Sequence, residues 1–430
     1  MHFPLINHYI ILIRHNPNYR RLWLSAVISQ LGDWFNLIAS AALVANLSNS
    51  GLAIGGLFLA RLLPPFLLSP VVGVIADRFD RRKILIASDL LRAVIVLSFL
   101  LVYQRQQVWL LYVLTVLQLS ISAFFEPARA ALMPSIVARE DLVTANALDA
   151  TTWSAMLAIG SALGGLATAL FGIPAAFIID SASFVLSAWF ISQVRPGRMD
   201  ATVEASSASE AGWRSFIGGL QYLRQHPSVL AVALLKGSKA LAYGGMAVVE
   251  VTFAKEIFPI GMDGSGTLGL LYCAIGLSTG LGPLLARRVT GDKQRAMYWM
   301  ILYCYLMMIA GYLMIGWTST LPFLLLATFV RTLGTGIGWT YSSVLLQLNV
   351  PDKFLGRVFA FDFAMMTLAA SASTVWVGWA KDSWGMTPQQ IALMLISVPV
   401  VMGLGWASFL LLHFRRQAAG TAQQGATISS

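Results

Sequence analysis

The residues of this chain that could do chemistry are ionisable side chains set inside long apolar runs. The cations are Arg61, Arg92, Arg129, Lys236, Lys239 and Arg331, and the acids are Asp33, Asp89, Glu126, Asp180, Glu250 and Asp362. A charge inside a bilayer is costly, so each is a functional hypothesis by default. Asp33 lies near the middle of its run, with Asn36 three residues later on the same helical face. Desolvation favours the neutral form of a carboxylate, so Asp33 can exchange a proton near neutral pH, or it can be ion-paired with Arg61 or Arg331 for packing alone. Arg61 and Arg331 are mid-run guanidiniums, each facing an acid, a cavity or a ligand anion. Glu126 and Arg129 flank Pro127, which loosens the local helix, and form a gating or a packing pair. Lys236 and Lys239 give a basic face suited to an anion such as a catecholate, and Lys236 could equally snorkel to the membrane surface. Asp89 and Arg92 read as a local pair. Asp362 suits a helix N-terminus, Asp180 reads as a structural polar contact, and Glu250 reads as wetted near the outer end of its run.

Other chemistries find little support. The five histidines lie in the termini or at span edges, and Cys273 and Cys304 both sit in apolar runs. That leaves no disulfide framework, no metal-ligand spacing and no Ser/His/Asp constellation, so an enzyme, a metal or another cofactor is not expected.

The elements that must position these charges are membrane helices. The chain has 430 residues, 57% of them hydrophobic and 11% charged, whereas a soluble domain carries about 25% charged residues. Apolar runs near 21–45, 52–76, 84–103, 108–133, 145–171, 173–194, 228–253, 265–286, 296–316, 320–346, 356–380 and 388–412 are each long enough to span a bilayer. Twelve spans put both termini on one side. With that side cytoplasmic, Arg14, Arg20, Arg21, Arg78, Arg81, Arg82, Lys83, Arg139, Arg287, Arg288, Arg415 and Arg416 stay inside, while only Arg105, Lys255 and Lys381 fall outside. The net charge of +10 is therefore a matter of topology and does not suggest nucleic acid. The expected place is a bacterial inner membrane, crossed many times with both termini cytoplasmic.

The loop at 195–227 is polar and ends in an amphipathic stretch, Trp213 to Tyr222. It divides the chain into a bundle over 1–194, a cytoplasmic linker over 195–227, and a second bundle with a tail over 228–430. An internal duplication supports this division. Gly73-Val-Ile-Ala-Asp77-Arg78-Phe-Asp-Arg81-Arg82-Lys83, between spans two and three, is echoed by Gly282-Pro-Leu-Leu-Ala-Arg287-Arg288 between spans eight and nine, where the Asp is missing. Repeats of this kind mark transporters with a site between two halves near the bilayer midplane.

The first copy resembles the signature loop of the major facilitator superfamily, with Asp80 where that family often has Gly. Further stretches resemble the branch of the enterobactin exporter and the macrolide-efflux proteins. They are Asn18-Tyr-Arg-Arg-Leu-Trp23, Ser29-Gln-Leu-Gly-Asp33-Trp34, Leu63-Pro64, Phe125-Glu-Pro-Ala-Arg129, Ala145-Asn146, Gly164-Gly165 and Gly356-Arg-Val358. The resemblance runs from about residue 16 to about residue 412 and implies an all-α membrane protein, with twelve transmembrane helices in two six-helix bundles related by pseudo-two-fold symmetry. It places spans one, four, seven and ten around a cavity, which would gather Asp33, Glu126, Arg129, Lys236, Lys239 and Arg331. Asn36 and Arg61 complete the expected cavity, Asp33 is the expected proton carrier, and Gly73, Asp77, Arg78, Arg81 and Arg82 are the expected conformational gate. The implied function is proton-coupled export of an amphipathic small molecule, a siderophore or a drug such as a macrolide, by a monomer whose partners are that substrate, protons and membrane lipid. Movement of a lysophospholipid, and a non-transporting receptor or scaffold on the same fold, are the alternatives.

Because the first loop keeps Asp77 and its echo lacks it, Asp77→Asn is expected to slow transport by changing the balance of states while substrate binding survives. Parallel flux and binding measurements check this. Lost binding with normal conformational exchange would make the stretch a binding site.

Overall fold

The computed structural model describes residues 4–195, 220–291 and 293–428, and within them the side chains of 4–7, 69–78, 352–353 and 416–428 are not described. The described chain is helical, with twelve helical segments long and apolar enough to cross a membrane. In chain order they are α1 (Pro17–Ser48), α2 (Gly51–Arg78), α3 (Arg81–Ser98), α4 (Val108–Leu132), α5 (Leu142–Phe171), α6 (Ile173–Ser192), α7 (Pro227–Ile257), α8 (Ser265–Thr290), α9 (Gln294–Gly316), α10 (Leu321–Asn349), α11 (Asp352–Trp384) and α12 (Pro388–Arg415). A short helix, Pro4–His15, precedes them. The linker expected at 195–227 lies mostly outside the described residues. Its last turns are helical from Leu220, and Tyr222 stacks on Phe354 with ring centroids 4.4 Å apart.

Local chemistry sets the helix ends. Asn16 caps α1 by accepting from the Tyr19 amide at 2.9 Å, and Pro17 opens the helix, where its missing N–H costs nothing. Asn49 closes α1 in the left-handed region at φ 51°. Asp80, the residue that departs from the family loop, caps α3 by accepting from the Lys83 amide at 3.1 Å.

Two spans are not continuous: α12 is broken once, at Ile396, and α7 more extensively. α7 is interrupted at Leu234 and at Gly244–Gly245, and it ends in a π-helical turn over Phe253–Ile257. Gly244 sits against α11, where an added Cβ would lie 2.5 Å from the Ala370 carbonyl oxygen. Interrupted spans persist in membranes only where protein or a polar cavity satisfies the freed backbone. The break also corrects the expectation for Glu250. It is 4% exposed rather than wetted, because the segment beyond the break, Met246–Thr252, is buried along most of its length.

The chain forms two compact units. The first joins the six N-terminal spans with Gly245–Leu277 and Thr374–Pro388. The second joins Ser278–Ser373 with the start of α7 up to Gly244 and the chain from Gln389 onward. In the first unit α1 packs closely on α5 and α6 across small residues. A Cβ on Gly164 would lie 3.1 Å from the Phe35 Cα, and a Cβ on Gly165 would lie 2.7 Å from the Gly269 Cα of α8, so only glycine fits there. One apolar core of this unit gathers Tyr19, Leu22, Leu85, Phe125 and Leu132, and the core of the second gathers Tyr298, Ile301, Tyr305, Leu345 and Trp406.

The turn between α1 and α2 is clasped by charges from later in the chain, all within the first unit. Asp382, at the end of α11, accepts from Ser50 Oγ at 2.6 Å and from the Gly51 and Leu52 amides at 2.7 and 2.9 Å. Lys255 donates to the Ala45 carbonyl and to Asn49 Oδ1 at the end of α1. An anion thus sits at one helix N-terminus and a cation at the adjacent C-terminus, each where the backbone dipole favours it. Lys381 pairs with Glu256 at 2.9 Å, and Asn46 donates to Asp263 at 3.1 Å.

Asp382→Ala is expected to cost about 1 kcal/mol, as the loss of a cap does. The readout is a lower thermal midpoint of the purified protein, with Asp382→Asn falling less. An unchanged midpoint in both variants would mean that the clasp contributes nothing.

Candidate functional site

The first unit buries a network of charges drawn from four helices. α3 supplies Arg92, which is 2% exposed and held between the rings of Phe125 and Phe184, its guanidinium 4.7 and 4.2 Å from their centroids. Both rings offer the guanidinium cation–π contact beside its acid partners. Asp89, one turn away on α3 and fully buried, binds the guanidinium directly. Asp33 of α1 approaches it at 3.9 Å, and the Asp33 side chain is 36% exposed. Arg92 thus sits between one enclosed carboxylate and one that is only partly enclosed by protein. The local pair expected of Asp89 and Arg92 is present, and Asp33 adds a long-range partner to it.

Beside this trio, Asn36 is fully buried on α1. Its Oδ1 lies 3.4 Å from Arg61 Nη1 of α2 and 3.4 Å from Ser40 Oγ. Asp180 of α6 is also fully buried, and it packs against Gly32, where any Cβ would collide with it. Asp33, Asn36 and Arg61 are therefore brought together, joined by three residues that the sequence suggested only as structural contacts.

A second charged group lies near the end of α4. Arg129 is 6% exposed. It pairs with Glu126 at 3.3 Å and, more closely, with Asp149 of α5. Glu126 is 67% exposed, so the enclosed partner is Asp149. Sequence reasoning missed Asp149. The only signal for it is an acid one turn after Ala145-Asn146, at the start of an apolar run. Tyr19 donates to the Ala145 carbonyl at 3.1 Å and ties α1 to this corner.

In the second unit Lys236 is 7% exposed and bound to Asp362 of α11 at 2.6 Å, with Trp339 and Phe359 rings near its ammonium. Lys236 does not snorkel, and Asp362 serves as its counter-ion. Lys239, one turn on, is 2% exposed, and its Nζ has no hydrogen-bond partner among the described residues. The ammonium lies 5.4 Å from the Tyr305 ring and closes on Gly338 of α10, which leaves no room for a Cβ. Arg331 is 2% exposed, with its guanidinium 5.6 Å from the Tyr312 ring and its backbone against Gly311 of α9. Gly334, Gly336 and Gly338 serve close approach: Gly334 meets Cys304 of α9 and Gly336 meets Thr279 of α8.

Of the expected gate, the side chains of Gly73, Asp77 and Arg78 lie outside the described residues. Arg81 donates to the Ala131 carbonyl at 2.8 Å, and Arg82 donates to the Ile191 carbonyl at 3.3 Å and to that of Ser192. Both arginines therefore tie the start of α3 to the ends of α4 and α6. The clasp formed by Lys255 and Asp382 had no sequence signal beyond two charges at span ends. Among the described residues no cluster of His, Cys, Asp and Glu could hold a metal ion.

The arrangement is a set of membrane-length helices carrying buried charges, and comparison with known proteins gives its family. The family model of the Major Facilitator Superfamily matches residues 22–374. MFS-type transporter YfiS of Bacillus subtilis (strain 168) is 29% identical over 372 residues, 84% of this chain and 85% of its own. Macrolide efflux protein A of Streptococcus pyogenes is 24% identical over 363 residues, 81% of this chain and 85% of its own. The crystal structure of the nucleoside transporter NupG superposes with a TM-score of 0.73 at 13% identity, covering 91% of this chain and 98% of that one, a likeness of fold alone. The chain belongs to the Major Facilitator Superfamily, a family of membrane transporters and not of enzymes.

Proposed function

We propose that this transporter exports an amphipathic small molecule, a siderophore or a drug such as a macrolide, in exchange for protons. Its bundles over 1–194 and 228–430, joined by the linker over 195–227, would alternate access to a midplane site in a bacterial inner membrane. Both termini would be cytoplasmic, by the distribution of Arg and Lys in the loops. The protein would act as a monomer, with membrane lipid around it. The efflux activity named for the Streptococcus pyogenes relative supports the direction and the class of substrate.

The observation that carries the proton is the position of Asp33. Its carboxylate is part exposed, yet 3.9 Å from a guanidinium that already has an enclosed partner in Asp89. When Asp33 is ionised, Arg92 is shared between two acids. When Asp33 takes a proton, Arg92 falls to Asp89 alone and α1 is released from α3. A proton is thereby converted into a change of contact between two helices. Asn36, Arg61, Glu126 and Arg129 would form the polar part of the cavity on the first unit, and Lys239 and Arg331 on the second. Gly73, Asp77, Arg78, Arg81 and Arg82 would govern exchange between states.

One pH unit across the membrane is worth about 1.4 kcal/mol per proton, or about a tenfold accumulation ratio. In proteoliposomes carrying such a gradient, Asp33→Asn is expected to lose that gain while still binding substrate. Accumulation by Asp33→Asn with unchanged pH dependence would remove Asp33 from the carrier role.

A further inference from the structure

Asp180 is a buried acid that the account above leaves without a task. It is fully buried in α6, and neither carboxylate oxygen has a hydrogen-bond partner among the described residues. The nearby Ser183 hydroxyl is already committed, donating to the Asp180 carbonyl at 2.7 Å. On the α1 side the carboxylate meets Gly32, which brings only backbone.

The charged groups that face it can be taken helix by helix. α1 presents Asp33, α2 presents Arg61, and α3 presents Arg92 with Asp89 behind it. The only described acid on α5 is Asp149, which Arg129 holds. The network around Asp180 therefore contains the carboxyl groups of Asp33, Asp89 and Asp180 but only the guanidiniums of Arg61 and Arg92. Asp89 binds Arg92 directly, and Asp33 reaches both Arg92 and solvent. Arg61 Nη1 lies at hydrogen-bond distance from the Asn36 amide oxygen rather than from a carboxylate. Among the described residues no donor reaches the Asp180 carboxylate at hydrogen-bond distance, and its polar neighbour is the Asn36 side chain. An ionised carboxylate enclosed without a hydrogen bond costs far more than its neutral acid.

We propose that Asp180 is a second proton-binding site, holding a resident proton that balances the network. The ligand is a single proton, bound as O–H on one carboxyl oxygen. With that proton in place the network carries as many cations as anions when Asp33 is ionised. Loading Asp33 from solvent then changes its charge by one step only. Two carboxyl groups facing the same guanidiniums titrate as one coupled set, so the proton at Asp180 and the proton at Asp33 are linked. That linkage rests on the proton antiport proposed above, whereas the resident proton does not.

The test is infrared spectroscopy of the full-length protein in lipid nanodiscs at neutral pH, read in the carbonyl-stretch band of protonated carboxylic acids. The wild type is expected to show a band that shifts slowly in heavy water, as an enclosed acid does. Asp180→Asn is expected to lose that band, and Asp33→Asn to keep it. Should Asp180→Asn fail to fold, Asp180→Glu is expected to move the band's frequency. A band that survives Asp180→Asn, is unmoved in Asp180→Glu, or disappears in Asp33→Asn overturns the proposal, as does its absence from the wild type. Transport by the same Asp33→Asn protein under a pH gradient judges the antiport separately. If coupling persists there while the Asp180 band behaves as stated, the antiport role of Asp33 fails and the resident proton stands.

Discussion

The structure depends on one constraint: a charge enclosed in a bilayer needs a counter-charge, a ring face or a proton. Arg92 meets it with Asp89 and two aromatic rings, Arg129 with Asp149, and Lys236 with Asp362. Each of these pairings also fixes helix positions. Arg92 joins α3 to α1, α4 and α6, because its partners stand on all three. Lys236 fixes α7 against α11 beside the interruption at Leu234. Charges that would be expensive alone therefore specify which helix faces which, a role that apolar packing in lipid fills poorly because lipid tails are as apolar as Leu.

The same economy governs the helix ends. The turn between α1 and α2 is short, with Asn49 in a left-handed conformation and Ser50 turned to cap the next helix. Its exposed backbone groups are met by Lys255 from α7 and Asp382 from α11. The Gly51–Gly378 approach lets the two backbones come close enough for Asp382 to reach, since a Cβ on Gly51 would lie 2.9 Å from the Gly378 carbonyl oxygen. Glycine and capping acid are thus parts of one device. At the opposite end of the span, Asp80 caps α3 from within the loop itself, which gives a local reason for an acid where the family often has glycine.

The fold was largely legible because span detection needs only length and hydropathy, both local properties of the chain. Local pairs were legible for the same reason. Asp89 with Arg92, and Glu126 with Arg129, sit three apart on a helix and were read as pairs. Long-range pairs were not. Lys236 and Asp362 are 126 residues apart, and no spacing rule joins them. Asp149 was overlooked as Arg129's enclosed partner because it stands on another helix. Glu250 was misjudged because burial beyond the break in α7 depends on where the chain turns, and hydropathy does not report that.

Among the described residues, Asp180 in the first unit and Lys239 in the second are enclosed ionisable groups whose charged atoms meet no hydrogen-bond partner. These groups have opposite chemistry but the same logic. An enclosed carboxyl without donors and an enclosed amine without acceptors both lack the partner that an enclosed charge needs. Paired ions resist a change of charge because either partner alone would be stranded. Unpaired groups do not, so a transporter that must change its charge state during a cycle can do so there with least disruption. Lys239 has the Tyr305 ring as its polar neighbour, and Gly338 leaves room for the amine but not for a second side chain. That enclosure is what separates Lys239 from Lys236 one turn away, whose ammonium is bound to Asp362.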